Sequence, residues 1–328
     1  MKALVVTLLA LVFIAGAAAV CLSHWNSSPL GISAAATISL NPGESFVGFA
    51  QRLASDGVIT RPRLWSRLAS VRGLARRVKA GEYAIVVEDT PETLLQRLVA
   101  GKVVSYEIQL IEGWTTMHCV QALALNDKLS HTLRGVGVET LLDVLGLPGG
   151  HAEGLFFPDT YRFVSGDSDA DILRRAYAKM RDELETAWTS RDLSVPYNSL
   201  YEALIAASLI EKETGRDEDR EHVSQVFASR LAKRMKLQTD PAVIYGLGED
   251  FNGNLQLRHL RQDTPYNTYV RRGLPPTPIA LPGAKSIAAA LHPGSGNFLY
   301  FVSRGDGSSQ FSTSLVEHRA AVRKYQLQ

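Results

Sequence analysis

Leu209-Ile-Glu-Lys-Glu-Thr-Gly215 closes an apolar run that opens near Pro196 and reads Tyr197-Asn-Ser-Leu-Tyr-Glu-Ala-Leu-Ile-Ala-Ala-Ser-Leu-Ile210. Pro196 suits the first turn of a helix and Gly215 its end, which predicts a helix of roughly four to five turns. Leu200, Leu204, Ala207 and Glu211 fall on one narrow stripe of it, while Glu213 projects to the other side with Glu202. On this reading Glu211 extends the buried face and Glu213 is a solvated partner. A carboxylate pressed against an apolar wall has its charged form disfavoured and holds its proton longer, which is what a general acid needs near neutral pH. The plainer reading is a helix that surfaces at its last turn and exposes both acids.

The material around this helix is globular. Of 328 residues, 45% are hydrophobic and 21% charged, with a formal net charge of +2, enough for about two domains. The near-neutral balance, with no basic stripe standing out, argues against a nucleic-acid protein. Upstream, Ala3 to Leu22 is an uncharged run behind Lys2. At about 1.5 Å per residue it can cross a hydrocarbon core of roughly 30 Å. The basic start stays cytoplasmic, and the rest of the chain then lies on the far side. A cleaved signal peptide is the competing reading, because Ala17-Ala-Ala19 suits a signal peptidase. Cys21 invites a lipoprotein reading that the bulky Val20 before it disfavours. Cys21 and Cys119 are the two cysteines, and their placement predicts no disulfide.

Residues 1–22 are therefore read as a transmembrane anchor and residues 23–36 as a linker. A small unit follows at 37–102. It has a strand at Ile38–Leu40, helices at Ser45–Ser55 and Pro62–Val71, a strand at Gly81–Val87, and a helix from Pro91 to Val99 closed by Gly101. Residues 103–328 form the larger region. Val103–Ile111 alternates as a strand, and helical periodicity recurs at Met117–Leu125, Glu139–Leu145, Ile172–Trp188, Leu200–Thr214 and His222–Met235. Phe298–Val302 and Gln310–Ser312 return to strand around Gly305-Asp-Gly307. The fold class is α+β, with helices dominant in the larger region.

The common chemistries find no support. The eight histidines are scattered, without a His-Glu-x-x-His or a Cys/His cluster, so neither a zinc site nor any other metal is implied. No Gly-x-Ser-x-Gly elbow is present, and Gly283-Ala-Lys-Ser286 lacks the glycines of a phosphate loop. Asp167-Ser-Asp-Ala-Asp171 resembles part of a calcium loop but lacks its Gly and distal Glu, and reads better as a helix cap. No cofactor is implied. What remains is a polar and aromatic set: Glu153 to Tyr161, Gln238 and Asp240 before a helix start, and Asn267 with Tyr269. Amides and carboxylates for hydroxyls, with aromatic faces for rings, suit an extended sugar groove. Each residue alone is also ordinary turn and cap chemistry.

With these stretches in place the chain resembles the YceG-like (MltG) endolytic murein transglycosylase family. The resemblance rests on Glu112-Gly-Trp114, Glu153-Gly-Leu-Phe-Phe-Pro-Asp-Thr-Tyr161, Ala207-Ser-Leu-Ile-Glu-Lys-Glu-Thr214 and Val226-Phe-Ala-Ser-Arg-Leu231. It continues through Leu237-Gln-Thr-Asp-Pro241, Tyr266-Asn-Thr-Tyr269, Gly273-Leu-Pro-Pro276 and Leu291-His-Pro293. It implies that residues 37–102 are a LysM-like module, that 103–328 are the catalytic domain, and that Glu211 is the general acid. It further implies cleavage of the MurNAc-β-1,4-GlcNAc bond inside peptidoglycan strands to leave 1,6-anhydro ends, at the inner membrane beside peptidoglycan synthases. Glu153, Tyr161, Gln238, Asp240, Asn267 and Tyr269 are the substrate-binding candidates. A non-catalytic murein-binding scaffold and a hydrolytic muramidase, with Glu153 or Asp240 as second carboxylate, are the rival readings.

Overall fold

The computed structural model describes residues 2–326; Met1, at the start of the expected anchor, and residues 327–328, at the end of the expected catalytic region, lie outside them. The chain divides into two compact units. One runs to Tyr106 and includes Arg162–Gly166; the other holds Glu107–Tyr161 and Asp167 onward.

The first unit begins with α1 (Lys2–Asn26), followed by β1 (Ala36–Leu40), α2 (Phe46–Ser55), α3 (Pro62–Val71), β2 (Gly81–Ile85) and α4 (Pro91–Ala100). Within Leu4–Asn26 the most apolar stretch of 18 residues has a mean hydropathy of 2.8, and its side chains from Leu4 to Phe13 are exposed, so this helix is long and apolar enough to cross a bilayer. The helix runs past the expected anchor end, and the expected linker is packed rather than free. Trp25 lies against the core of the unit and Leu30 is buried in it. Apolar residues so close to a folded unit gain more from burial than a solvated linker would offer.

The rest follows local chemistry. Ser45 accepts from Gly48 N to cap α2, Pro62 opens α3, and Thr90 and Thr93 form a capping box on α4. Gly101 ends α4 with a left-handed φ of 69°, a conformation that side chains with a Cβ disfavour. Antiparallel β1 and β2 place Ala36 opposite Ile85 and Leu40 opposite Gly81. Their inward face and the helices enclose Phe46, Phe49 and Trp65, with the Phe46 and Trp65 rings 4.7 Å apart. Each such side chain contributes about 1.5–3 kcal/mol on burial.

The second unit continues with β3 (Ser105–Gln109), α5 (Thr116–Ala124), α6 (Leu141–Leu145), β4 (Thr160–Val164), α7 (Asp169–Thr189) and α8 (Leu200–Glu213). Then come α9 (Asp217–Ala232), α10 (Asp240–Leu247), α11 (Leu257–Arg261), α12 (Ala284–Leu291), β5 (Tyr300–Ser303), β6 (Ser309–Ser312) and α13 (Leu315–Tyr325). The division between the units falls within β3 and β4. Ser168 and Asp171 make a capping box at the start of α7, the cap reading of that acidic run.

Helix α8 is the centre of this unit. It begins at Leu200 with Ser199 as N-cap, one turn later than Pro196 suggests. Every residue from Ala203 to Ile210 is buried, and α7, α9, α10 and α12 pack around it. Its one polar interior residue, Ser208, donates to Ile205 O and accepts from Ile279 N. A helix enclosed on all sides has no solvent face for a stripe to avoid.

Candidate active site

Three segments meet where α8 ends. Helix α8 delivers Glu213 as its last residue. Helix α9 delivers Arg230, a buried guanidinium that donates from Nη1 to Leu237 O (2.6 Å) and from Nε to Leu299 O (2.7 Å). It thereby ties the turn before α10 to the approach of β5. That turn is tied again to residues 267–269. Gln238 N donates to Thr268 O (3.2 Å), Thr239 N donates to Thr268 Oγ1 (3.0 Å), and Thr268 Oγ1 donates to Thr239 O (3.2 Å). Gln238 is held at φ 52°, a left-handed conformation that costs a non-glycine residue about 1–2 kcal/mol.

The result is a cleft of about 570 Å³ lined by Glu213, Arg230, Gln238, Asp240 and Tyr269 together with Tyr300 and Ser303 of β5 and His318 of α13. Tyr269 donates its hydroxyl to Asp240 Oδ1 at 2.6 Å, so the two form a fixed pair at the start of α10. The His318 ring stacks on Tyr300 with centroids 5.1 Å apart, and burial together with Arg230 lowers the imidazole below its ordinary value. Among the described residues no three His, Cys, Asp or Glu side chains group closely enough to hold a metal ion.

The electrostatics single out Glu213. Burial pushes its carboxyl up to about 7, the neighbouring Asp240 charge adds to the rise, and Thr239 and Arg230 oppose it. The sequence stripe makes Glu213 solvated and Glu211 the interior acid; the structure places Glu213 in the enclosure. Because α8 is buried all round from Ala203 to Ile210, the side that carries Glu213 leads into the cleft rather than into open water.

Glu211 is half-buried outside the lining of this cleft, and its Oε2 accepts from Gly283 N at 3.0 Å, at the N-cap of α12. A carboxylate there satisfies a free amide and complements the helix dipole. The Glu112 carboxyl beside it is raised, first by burial and then by the Glu211 charge. A Cβ at Gly283 would fall 1.9 Å from Glu112 Oε1, so any larger residue there would push the Glu112 side chain aside.

The other candidates divide. Gln238, Asp240 and Tyr269 line the cleft with Glu213; Glu153, Tyr161 and Asn267 do not. Glu153 is buried, with Oε1 accepting from Thr116 N (2.9 Å) and Oε2 from Tyr245 Oη (3.0 Å). Tyr161 donates to Phe157 O at 2.7 Å. Asn267, fully buried, donates to His259 O (2.9 Å) and Gln262 O (2.6 Å), and its Oδ1 accepts from Tyr269 N (2.9 Å). It sets the loop that carries Tyr269. Asn267→Ala leaves Gln262 O and Tyr269 N, both part-buried, without these partners, while His259 O still accepts from Gln262 N, and is expected to destabilise the protein by about 1–2 kcal/mol. A fall in melting temperature checks this; an unchanged melt would mean that the loop is held by other bonds. Arg230, Tyr300 and His318 carry no sequence-level expectation. The only signal for Arg230 was its place in Val226-Phe-Ala-Ser-Arg-Leu231.

Comparison with known proteins follows the same lines. The YceG-like family model matches residues 38–324. An endolytic murein transglycosylase of Bacillus subtilis (strain 168) is 30% identical over 88% of this chain and 84% of its own length. One of Streptococcus pneumoniae (strain D39) is 24% identical, and there the match covers 88% of this chain and 58% of the relative. The 2.6 Å crystal structure of a yceG-like protein of Listeria monocytogenes superposes with a TM-score of 0.54 at 28% identity, over 88% of this chain and 99% of that one.

Proposed function

This chain belongs to the YceG-like family, and on that footing we propose that it is an endolytic murein transglycosylase whose general acid is Glu213. The observation that carries the residue assignment is the Glu213 carboxyl, raised to about 7 by burial in the cleft it shares with Gln238, Asp240 and Tyr269. This choice replaces Glu211, whose carboxylate is engaged with the α12 terminus.

The substrate is a peptidoglycan strand, and the bond is the β-1,4 link from N-acetylmuramic acid to N-acetylglucosamine. Protonated Glu213 gives its proton to the bridging oxygen as the bond to C1 breaks. The C6 hydroxyl of the same muramic residue attacks C1, and its proton passes to the Glu213 carboxylate, which restores the acid. No water is consumed, and the new end is a 1,6-anhydro ring. One carboxyl near neutrality serves both steps, since it is available in either form around pH 7. The nucleophile is part of the substrate, so its effective concentration is already high. Asp240, held by Tyr269, lies beside the developing oxocarbenium charge, and Gln238 is placed for the sugar's polar groups.

Helix α1 anchors the protein in the inner membrane with the chain after it on the extracytoplasmic side, where nascent strands emerge and peptidoglycan synthases work. The β1-α2-α3-β2 order supports reading the small unit as LysM-like. A hydrolytic muramidase reading draws on Asp240, a second carboxylate in the same cleft, if it activates water. Mass spectrometry of fragments released from purified peptidoglycan by the full chain in detergent separates the readings. Internal fragments with anhydromuramic ends support the proposal, and ends one water heavier support the hydrolase. Glycan binding without new ends means a scaffold.

A further inference from the structure

We propose that the arginine-lined face of α3, with the groove it forms against α2, docks on the anionic phospholipid headgroups of the bilayer that α1 spans. The inference rests on the reading of α1 as a membrane anchor. The chain-wide charge balance hides a local excess. Residues 57–81 contain no Asp or Glu and seven basic residues: Arg61, Arg63, Arg67, Arg72, Arg76, Arg77 and Lys79. All seven are exposed, and among the described residues only Arg72 of them pairs with a carboxylate, that of Glu92. Of the acids nearby, Glu44 is engaged with Arg52 and Asp89 with Arg97, while Asp56 sits at the edge of the stretch.

Geometry places this face at the membrane exit. Trp25, one residue from the end of α1, donates from Nε1 to Thr60 Oγ1 at 3.0 Å, just ahead of α3. Asn26, the last residue of α1, donates from Nδ2 to Glu92 Oε2 at 2.6 Å, and the same oxygen accepts from Arg72 at the other end of α3. Both ends of α3 are therefore fastened to the last residues of the anchor, and a helix of ten residues spans only about 15 Å. Tryptophan at that point suits the bilayer interface. The groove, about 610 Å³, is lined by Arg63, Arg67, Ser70 and Val47. Val47 is 50% exposed, and Val71 at the end of α3 is 88% exposed. Guanidinium groups interleaved with bare apolar side chains suit a helix lying in a headgroup layer. The soluble carboxylates of peptidoglycan stems offer the charge without a use for the valines, so the lipid surface is favoured.

The test uses the full chain in phosphatidylcholine nanodiscs with and without phosphatidylglycerol. Two proteins carry a fluorophore: one on native Cys21, the other on Ser70→Cys with Cys21→Ser. Cys119 stays unlabelled, being buried with its thiol raised to about 12. Lipids brominated in the acyl chains report on Cys21, and lipids with nitroxide headgroups report on position 70. The expected result is quenching at Cys21 in every disc. Position 70 should be quenched several-fold more strongly with phosphatidylglycerol, with the excess lost in high salt and in Arg63→Glu/Arg67→Glu. Quenching at Cys21 with none at position 70 overturns the docking surface and leaves the anchor intact. No quenching at Cys21 overturns the anchor reading, and the docking surface with it. A position 70 probe that responds only to added solubilised peptidoglycan makes the face a glycan site and overturns the lipid proposal.

Discussion

Glu213→Gln is expected to cleave glycan strands about a thousandfold more slowly than the unchanged protein, the range over which a positioned general acid acts. Gln keeps the shape and polarity of the side chain but carries no proton to give to the leaving oxygen. Glu211→Gln is expected to stay within about tenfold of full activity, because its amide oxygen can still accept from Gly283 N. The pair of variants separates two carboxyls only two residues apart. Equal activity of Glu213→Gln and the unchanged protein, with Glu211→Gln inactive, would return the acid to the inner stripe of α8.

The second large effect is on stability, with the opposite sign. The Glu213 carboxyl moves from its ordinary value of 4.5 to about 7 in the folded protein. A raised carboxyl means that the folded state holds more protons than the unfolded state between those values, so stability falls as pH rises through that window. Above it the folded state carries a penalty of about 3 kcal/mol. Glu213→Gln removes the penalty and is expected to be more stable by about that amount at pH 8, with the advantage gone below about pH 4.5. For a unit of this size that is roughly 6–12 °C in melting temperature. A variant that melts below the unchanged protein at pH 8 would show that the fold stabilises the Glu213 charge. If Glu213 is the acid as proposed, this penalty is the usual trade between activity and stability.

The small unit was legible almost residue by residue because its boundaries are written in local chemistry. Ser45, Pro62, Thr90 with Pro91, and Gly101 each act on their own backbone or a neighbour's. Helix α13 is marked in the same local way, since Ser314 and Glu317 form a capping box. Helix α12 was not legible. Its N-cap is Gly283, and the amide there is satisfied by Glu211, 72 positions earlier in the chain. No window of sequence contains that bond.

The site shows the same division. Gln238, Asp240 and Tyr269 stood out as polar side chains in turns, and the fold brings them to one cleft with Glu213. Asn267 stood out for the same reason, yet it works one layer behind by holding the Tyr269 loop. Composition cannot tell a side chain that faces substrate from one that braces its neighbour. The position of Glu213 escapes helical periodicity for a deeper reason. Helical periodicity sorts inside from outside only when one face meets water, and α8 is enclosed on every side from Ala203 to Ile210.

The most direct test is carboxyl titration by ¹³C NMR of the full chain labelled at its glutamate side chains, compared with Glu213→Gln and Glu211→Gln. The account predicts a resonance with a midpoint near pH 7 that vanishes in Glu213→Gln and persists in Glu211→Gln. Loss of that resonance in Glu211→Gln instead, or a Glu213 carboxyl that titrates at its ordinary value near 4.5, would contradict it.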